Sequence, residues 1–142
     1  MRIQDVLQGK PSQDVITISP DATVRDLLAL LTDYNIGAVV VSQDGSAVDG
    51  IVSERDVVRR LAGSASLLDS PVAEIMTVRV HTADAEERLD DLMALMTEHR
   101  IRHVPVIGEG ALVGIISIGD VVKHRISQLE FERDQLDSYI NG

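Results

Sequence analysis

The sequence predicts an α/β fold, of the mixed α+β kind, in which two β-α-β-β-α repeats related by a pseudo-twofold axis form one module. Three observations predict it. The phrase GIVSERDVV at 50–58 returns as GIISIGDVV at 114–122, 64 positions later. LLALLTDYNIGAVVV at 27–41 returns as LMALMTEHRIRHVPV at 92–106. Both times a Gly-bearing turn, QDGSAVDG or GEGA, joins the two segments. Self-similarity at a fixed period marks one supersecondary unit written twice. A unit of roughly 60–70 residues can only just bury enough apolar surface to fold alone, so two halves sharing one module is the easier solution.

Each copy opens on a short β-rich stretch, Val15 to Ile18 and Val78 to Val80, when VITISPDA at 15–22 is matched with VRVHTADA at 78–85. On that match the offset is 63, then 65 along the long helix, then 64, so two residues are gained before the helix and one is lost in the hairpin. The helix shows one apolar stripe at 3.6 periodicity: Val24, Leu27, Leu28 and Leu31, repeated as Leu89, Leu92, Met93 and Met96. Strands over 38–42 and 103–107 follow, and the tight turns lead into second strands that end at Ser53 and Ser117. A second helix closes each unit. Gly63 and Pro71 punctuate the connection GSASLLDSPVAEI. The division is a first repeat over 1–62, a linker over 63–75, a second repeat over 76–126 and a helical extension over 127–142. Toward the end Ile126, Leu129, Leu136 and Ile140 fall near a/d spacing, broken by Arg133. Either a helix of a second subunit or the chain itself would cover that stripe.

Composition narrows the function classes. With 44% hydrophobic and 25% charged residues the chain is globular. It has no cysteine, which excludes disulfides and Cys-ligated metals. Neither a secretory h-region nor an apolar run long enough to span a bilayer is visible, so a cytoplasmic location and no membrane partner are expected. A net charge of −10 repels polyanions, and three aromatics (Tyr34, Phe131, Tyr139) make no stacking platform, so nucleic acid is not an expected partner. Yet seven of the 13 Lys and Arg crowd into 50–60, 100–103 and 114–125: Arg55, Arg59, Arg60, Arg100, Arg102, Lys123 and Arg125. A local anion site on an acidic protein fits that pattern, and so do helices that carry cations toward solvent.

Ser53-x-x-Asp56 and Ser117-x-x-Asp120 have the form of a helix capping box, as does Thr23-x-x-Asp26, where nothing else suggests a ligand. Two features go further. A reciprocal box prefers the longer Glu or Gln, so the shorter Asp is expected to leave its carboxylate free for other bonds, such as ribose hydroxyls. Each Ser also sits at a strand-to-helix junction, where helix N–H groups favour phosphate. In the first copy Arg55 adds a fork of donors.

These phrases, each preceded by a helix, a strand and a hairpin, resemble the signature of the cystathionine β-synthase (CBS) domain. DATVRDLLALLTDYNIGAVVV and RHVPVIGEGALVGIIS are similar to the same family's helix and strand regions. The likeness covers about residues 1–126 as a tandem pair, the arrangement called a Bateman module. It implies two clefts that bind adenine nucleotides, with the motif acids Asp56 and Asp120 on ribose and Ser53 and Ser117 near phosphate. It places the base against Thr17, Ile18, Ala38 and Val39 in one cleft, and against Val80, His103, Val104 and Pro105 in the other. Arg102 and His103 would reach phosphates near the centre. The copies then differ in phosphate recognition: Arg55 with Gly37-Ala38 in one, Ile118-Gly119 with Arg102-His103 in the other, and both clefts are expected to bind.

The resemblance further implies a stand-alone sensor of AMP, with ATP, NAD and S-adenosylmethionine as further candidates, acting as a homodimer on a downstream protein that the sequence does not identify. Catalysis finds no support. His99 and His103 straddle a helix end and so do not make a metal pair, Glu86-Glu87 and Asp90-Asp91 read as solvated first-turn acids, and no P-loop lysine or G-x-G-x-x-G is present. A non-enzyme without catalytic cofactor or metal is therefore expected. The competing reading is a ligand-free structural or oligomerisation module.

Overall fold

The computed structural model describes residues 1–141. Two three-stranded sheets form, one per repeat. In the first, β1 (Thr17–Ile18) runs parallel to β2 (Ala38–Val41), which pairs antiparallel with β3 (Gly50–Ser53). In the second, β4 (Ala83–Asp84) runs parallel to β5 (His103–Gly108), and β5 pairs antiparallel with β6 (Ala111–Ser117). The helices are α1 (Ile3–Gln8), α2 (Val24–Tyr34), α3 (Glu54–Leu61), α4 (Leu89–His99) and α5 (Ile118–Asn141). The predicted apolar stripes face inward: Val24, Leu27 and Leu31 lie in one core, and Leu89, Leu92 and Met96 in the other. Both long helices stop the same way, on a residue in the left-handed region (Asn35, φ 52; Arg100, φ 53) whose N–H closes the last turn.

The opening strands need a correction. Val78 to Val80 form no strand; Ala83–Asp84 takes that place, with Ala83 aligned on Val106 as Ile18 is on Val41. The offset is therefore 65 from the first strand through the long helix, and no residues are gained there. The first connection also differs from a tight turn. Residues 42–49 form a loop in which Asp44 accepts from the amides of Ser46 and Ala47. The second hairpin does turn tightly, with Glu109 (φ 53) and Gly110 (φ 80) both left-handed as a two-residue turn requires.

The ends of the halves are exchanged. Ile3 and Val6 of α1 are buried in the core of the second repeat, beside Leu89, Leu92, Val104 and Ile116. Backbone bonds fix them there: Ile3 N–H to Glu87 O and Gln4 N–H to Ala85 O, both 2.9 Å. Conversely, Leu67, Val72 and Ile75 are buried in the first core, with Val72 N–H bonded to Ala22 O at 2.8 Å. Residues 1–8 thus pack with the second repeat, and much of the stretch read as a linker packs with the first. The matching leaders are IQDVLQ at 3–8 and VAEIMT at 72–77, an offset of 69. Because the equivalent strand positions that follow, Ile18 and Ala83, stand 65 apart, the passage from leader to sheet is four residues longer in the first repeat.

Candidate functional site

That difference in leader length makes the two crevices unequal. The longer leader, through Lys10, Pro11 and Asp14, frames a cavity of about 550 Å³. Its far walls are Ile16, Tyr34, Ile36, Gly37, Ala38 and Val40 of the first repeat and His103, Val113 to Ile115, Ser117 and Asp120 of the second. The motif acid of one repeat therefore faces the strand start of the other. The sequence reading, which built each cleft from its own copy, is corrected on this point: Gly37 and Ala38 share a cavity with His103, Ser117 and Asp120. A second, smaller cavity of about 120 Å³ adjoins it, lined by Lys10, Asp120, Lys123, His124 and Ser127 among others.

On the opposite side the shorter leader closes in. Thr77 exchanges two backbone bonds with Ile51, at 3.0 and 2.8 Å, and Met76 lies over Gly50, where a Cβ would stand 2.7 Å from its sulfur. Ser53, Arg55 and Asp56 line neither cavity.

Both motif acids do reach back, contrary to the expectation from their length. Asp56 Oδ2 accepts from Ser53 N at 2.8 Å and from its hydroxyl at 3.1 Å. Asp120 Oδ2 accepts from Ser117 N at 2.9 Å, and Asp120 N donates to Ser117 Oγ at 3.1 Å. The first amide of each second helix is also committed: Glu54 N bonds Gly37 O, and Ile118 N bonds Arg102 O. These bonds weaken the argument for a bare helix terminus as the anion site.

What distinguishes Asp120 is its company. Lys10 Nζ lies 3.1 Å from Asp120 Oδ2 and 2.9 Å from Ile115 O. Burial pushes the Asp120 carboxyl up, but the Ser117 amide and the Lys10 ammonium outweigh it and hold it below its ordinary value. Burial likewise lowers the His103 imidazole, which wins over the opposing pull of Asp120 and Glu54; Lys10 and Arg102 lower it further.

Of the other sequence candidates, Ile18, Val39, Val104 and Pro105 are buried in the protein, whereas Arg55, Arg102 and Gly119 are exposed. Thr17 and Val80 are half-buried, and none of these residues lines the large cavity. For Ile18, Val39 and Val104 the reason is strand alternation, which turns them into the cores. The basic windows point elsewhere too, since only Lys123 among them lines a cavity, the smaller one. Sequence reasoning missed Lys10, Ile16 and Tyr34. The one signal for them was the unmatched length between leader and first strand. At positions matching Ile16 and Tyr34, the second repeat has His81 and His99, whose rings stack at 4.0 Å between centroids.

A family model described as the CBS domain matches residues 3–63 and again 72–127. Among curated proteins, the mitochondrial CBS domain-containing protein CBSX3 of Arabidopsis thaliana is 35% identical, over 99% of this chain and 72% of that protein. The CBS domain-containing protein YhcV of Bacillus subtilis is 30% identical over 80% of each. Among solved structures, the CBS-domain containing protein ATU1752 from Agrobacterium tumefaciens superposes with a TM-score of 0.81 at 44% identity, covering 88% of this chain and 99% of that one. The CBS domain pair of protein MJ0100, solved in complex with 5′-methylthioadenosine and S-adenosyl-L-methionine, superposes with a TM-score of 0.78 at 25% identity, covering 90% and 98%.

Proposed function

Because the chain belongs to the CBS domain family as a tandem pair, we propose that it is a regulatory module that binds an adenosine-containing ligand, AMP foremost, beside Asp120. The observation that carries this reading is the cavity of about 550 Å³ between the repeats, with Asp120 on one wall and Gly37 and Ala38 on another. That volume is within the range of roughly 300–1,000 Å³ usual for small-molecule sites. Ile16, Ile36, Val40 and Val113 offer aliphatic faces to a base. Asp120 accepts from the Ser117 amide and from Lys10 through Oδ2, leaving Oδ1 for ribose hydroxyls. Lys10 is the natural partner for phosphate. Among the described residues lining the cavity it is the one Lys or Arg, and it stands against Asp14 and Asp120. That balance favours a single phosphate over three, so AMP ranks before ATP, with NAD and S-adenosylmethionine behind. The adenosine ligands of the MJ0100 pair support the class.

Because both repeats wall the cavity, an occupant biases how they sit against each other, and a ligand that binds one arrangement better shifts the population toward it. The module would act as a homodimer on a downstream protein, without chemistry of its own. Among the described residues no helix is long and apolar enough to cross a membrane, and no group of three or more His, Asp or Glu is arranged to hold a metal ion. A second reading, a ligand-free scaffold, is favoured by one observation: Asp56 is turned onto Ser53 and lines neither cavity.

Thermal unfolding with AMP, ATP, NAD and S-adenosylmethionine separates the two readings. A ligand at 100 times its Kd adds about 2.7 kcal/mol of stability, and Asp120→Ala should abolish that gain. If none of the four stabilises the native chain, the scaffold reading replaces the sensor.

A further inference from the structure

Helix α5 runs through Asn141, fourteen residues past the end of the family match at 127. Its inward side is spent early: Val121 is buried, His124 and Gln128 are half-buried, and every described residue after 128 is exposed. The opposite side carries Val122, Ile126, Leu129, Leu136 and Ile140, from 49% exposed at Val122 to 71% at Ile140. With Arg133 these six positions alternate by four and three residues, an unbroken d-a-d-a-d-a seam about 27 Å long at 1.5 Å per residue. An apolar seam of that length, pointing away from its own chain, is built for another helix.

Resting on the homodimer reading above, we infer that the partner is α5 of a second copy, aligned antiparallel and centred on Phe131. Arg133 and the flanking charges decide the direction. In a parallel pair Arg133 would meet its own copy in one desolvated layer, a like-charge contact that costs heavily. In the antiparallel pair four of the five apolar positions have an apolar partner: Val122 meets Ile140 and Ile126 meets Leu136. Arg133 then lies opposite Leu129, beside Glu130 of the second copy. Lys123, at the basic start of the seam, comes alongside Asp137 at its acidic end. Glu130 and Glu132 each meet their own copy near the axis, where the two Arg133 side chains offset the repulsion. Sliding either helix by one heptad leaves two apolar layers uncovered at each end.

The absence of cysteine gives a direct test, because an introduced thiol is the only one present. Ile126→Cys and Leu136→Cys are prepared separately, mixed, allowed to exchange subunits and oxidised, with light scattering to establish that the native chain is a dimer. The inference requires a disulfide-linked heterodimer in the mixture and little cross-linking of either variant alone. Cross-linking of Ile126→Cys with itself means a parallel pair and overturns the inference. A native dimer that cross-links in none of these samples is joined elsewhere, which overturns the inference and leaves the homodimer reading standing. A native chain that stays monomeric at all concentrations overturns the homodimer reading itself. Because residues 126 and 136 are exposed within one chain, neither substitution threatens the fold, and circular dichroism checks this.

Discussion

Lys10 of the first repeat's leader and Asp120 of the second repeat's last helix, 110 positions apart in the chain, form an ion pair at 3.1 Å on the rim of the central cavity. Both side chains are only about a quarter exposed (28% and 26%), so water screens the pair less than one on the open surface. Lys10→Met should reduce stability by about 1 kcal/mol, a value for one partly exposed pair. On the proposed function it should weaken AMP more than adenosine, since only AMP has a phosphate to lose. Calorimetric titration of both ligands checks this; equal losses would remove Lys10 from phosphate recognition.

The two motif acids should respond unequally. Asp120→Ala should abolish stabilisation by ligand, whereas Asp56→Ala, outside both cavities, should leave most of it. Thermal unfolding with and without AMP makes the comparison, and equal effects would contradict the asymmetry of the cavities.

Two titrating groups give pH dependence. Asp120 has a lowered folded pKa, so its stabilisation is complete above the unfolded value of about 3.9 and is lost as pH falls through the folded value. Asp120→Asn should therefore cost stability at neutral pH, and the gap should close in acid. His103 is also lowered, so the unfolded chain takes up its proton first and stability falls as pH drops below about 6.5. His103→Gln should flatten that slope. Urea midpoints across the pH range measure both.

Gly50, which opens β3, and Gly114, its counterpart within β6, differ in what a methyl group would strike. At Gly50 a Cβ would stand 2.9 Å from the Thr77 carbonyl, fixed backbone, as well as 2.7 Å from Met76 Sδ. At Gly114 it would stand 2.8 Å from Leu7 Cδ2, the end of a flexible side chain. Gly50→Ala should therefore cost about 1–3 kcal/mol, as overpacking does, and Gly114→Ala clearly less. Denaturant unfolding of the pair decides it.

Exchange of the leaders makes its own prediction. Ile3 is fully buried in the second repeat's core. Ile3→Ala should cost about 2–4 kcal/mol as a large-to-small core change, and it should speed amide hydrogen exchange in β4 to β6 before β1 to β3. The reverse order would mean that α1 serves the first repeat.

The local elements were legible because their causes are local. The stripes at Val24, Leu27 and Leu31 and at Leu89, Leu92 and Met96 follow from helical periodicity, and the repeated GI-V/I-S phrase marks strand and helix start in both copies. The misplaced strand at 78–80 shows where this fails. VRV reads as a better strand than TAD, yet Ala83–Asp84 pairs with β5, with Ala83 buried in the second core while Val78 is 67% exposed.

The sequence by itself determined the family, the twofold repeat and the identity of the motif acids, all of which depend on short-range pattern. Only tertiary structure decided that the leaders cross over, that four extra residues open one crevice while the other narrows, and that Lys10 reaches Asp120. Those outcomes depend on which half a leader's apolar residues find to bury against, and contacts across more than a hundred residues leave no trace in local periodicity.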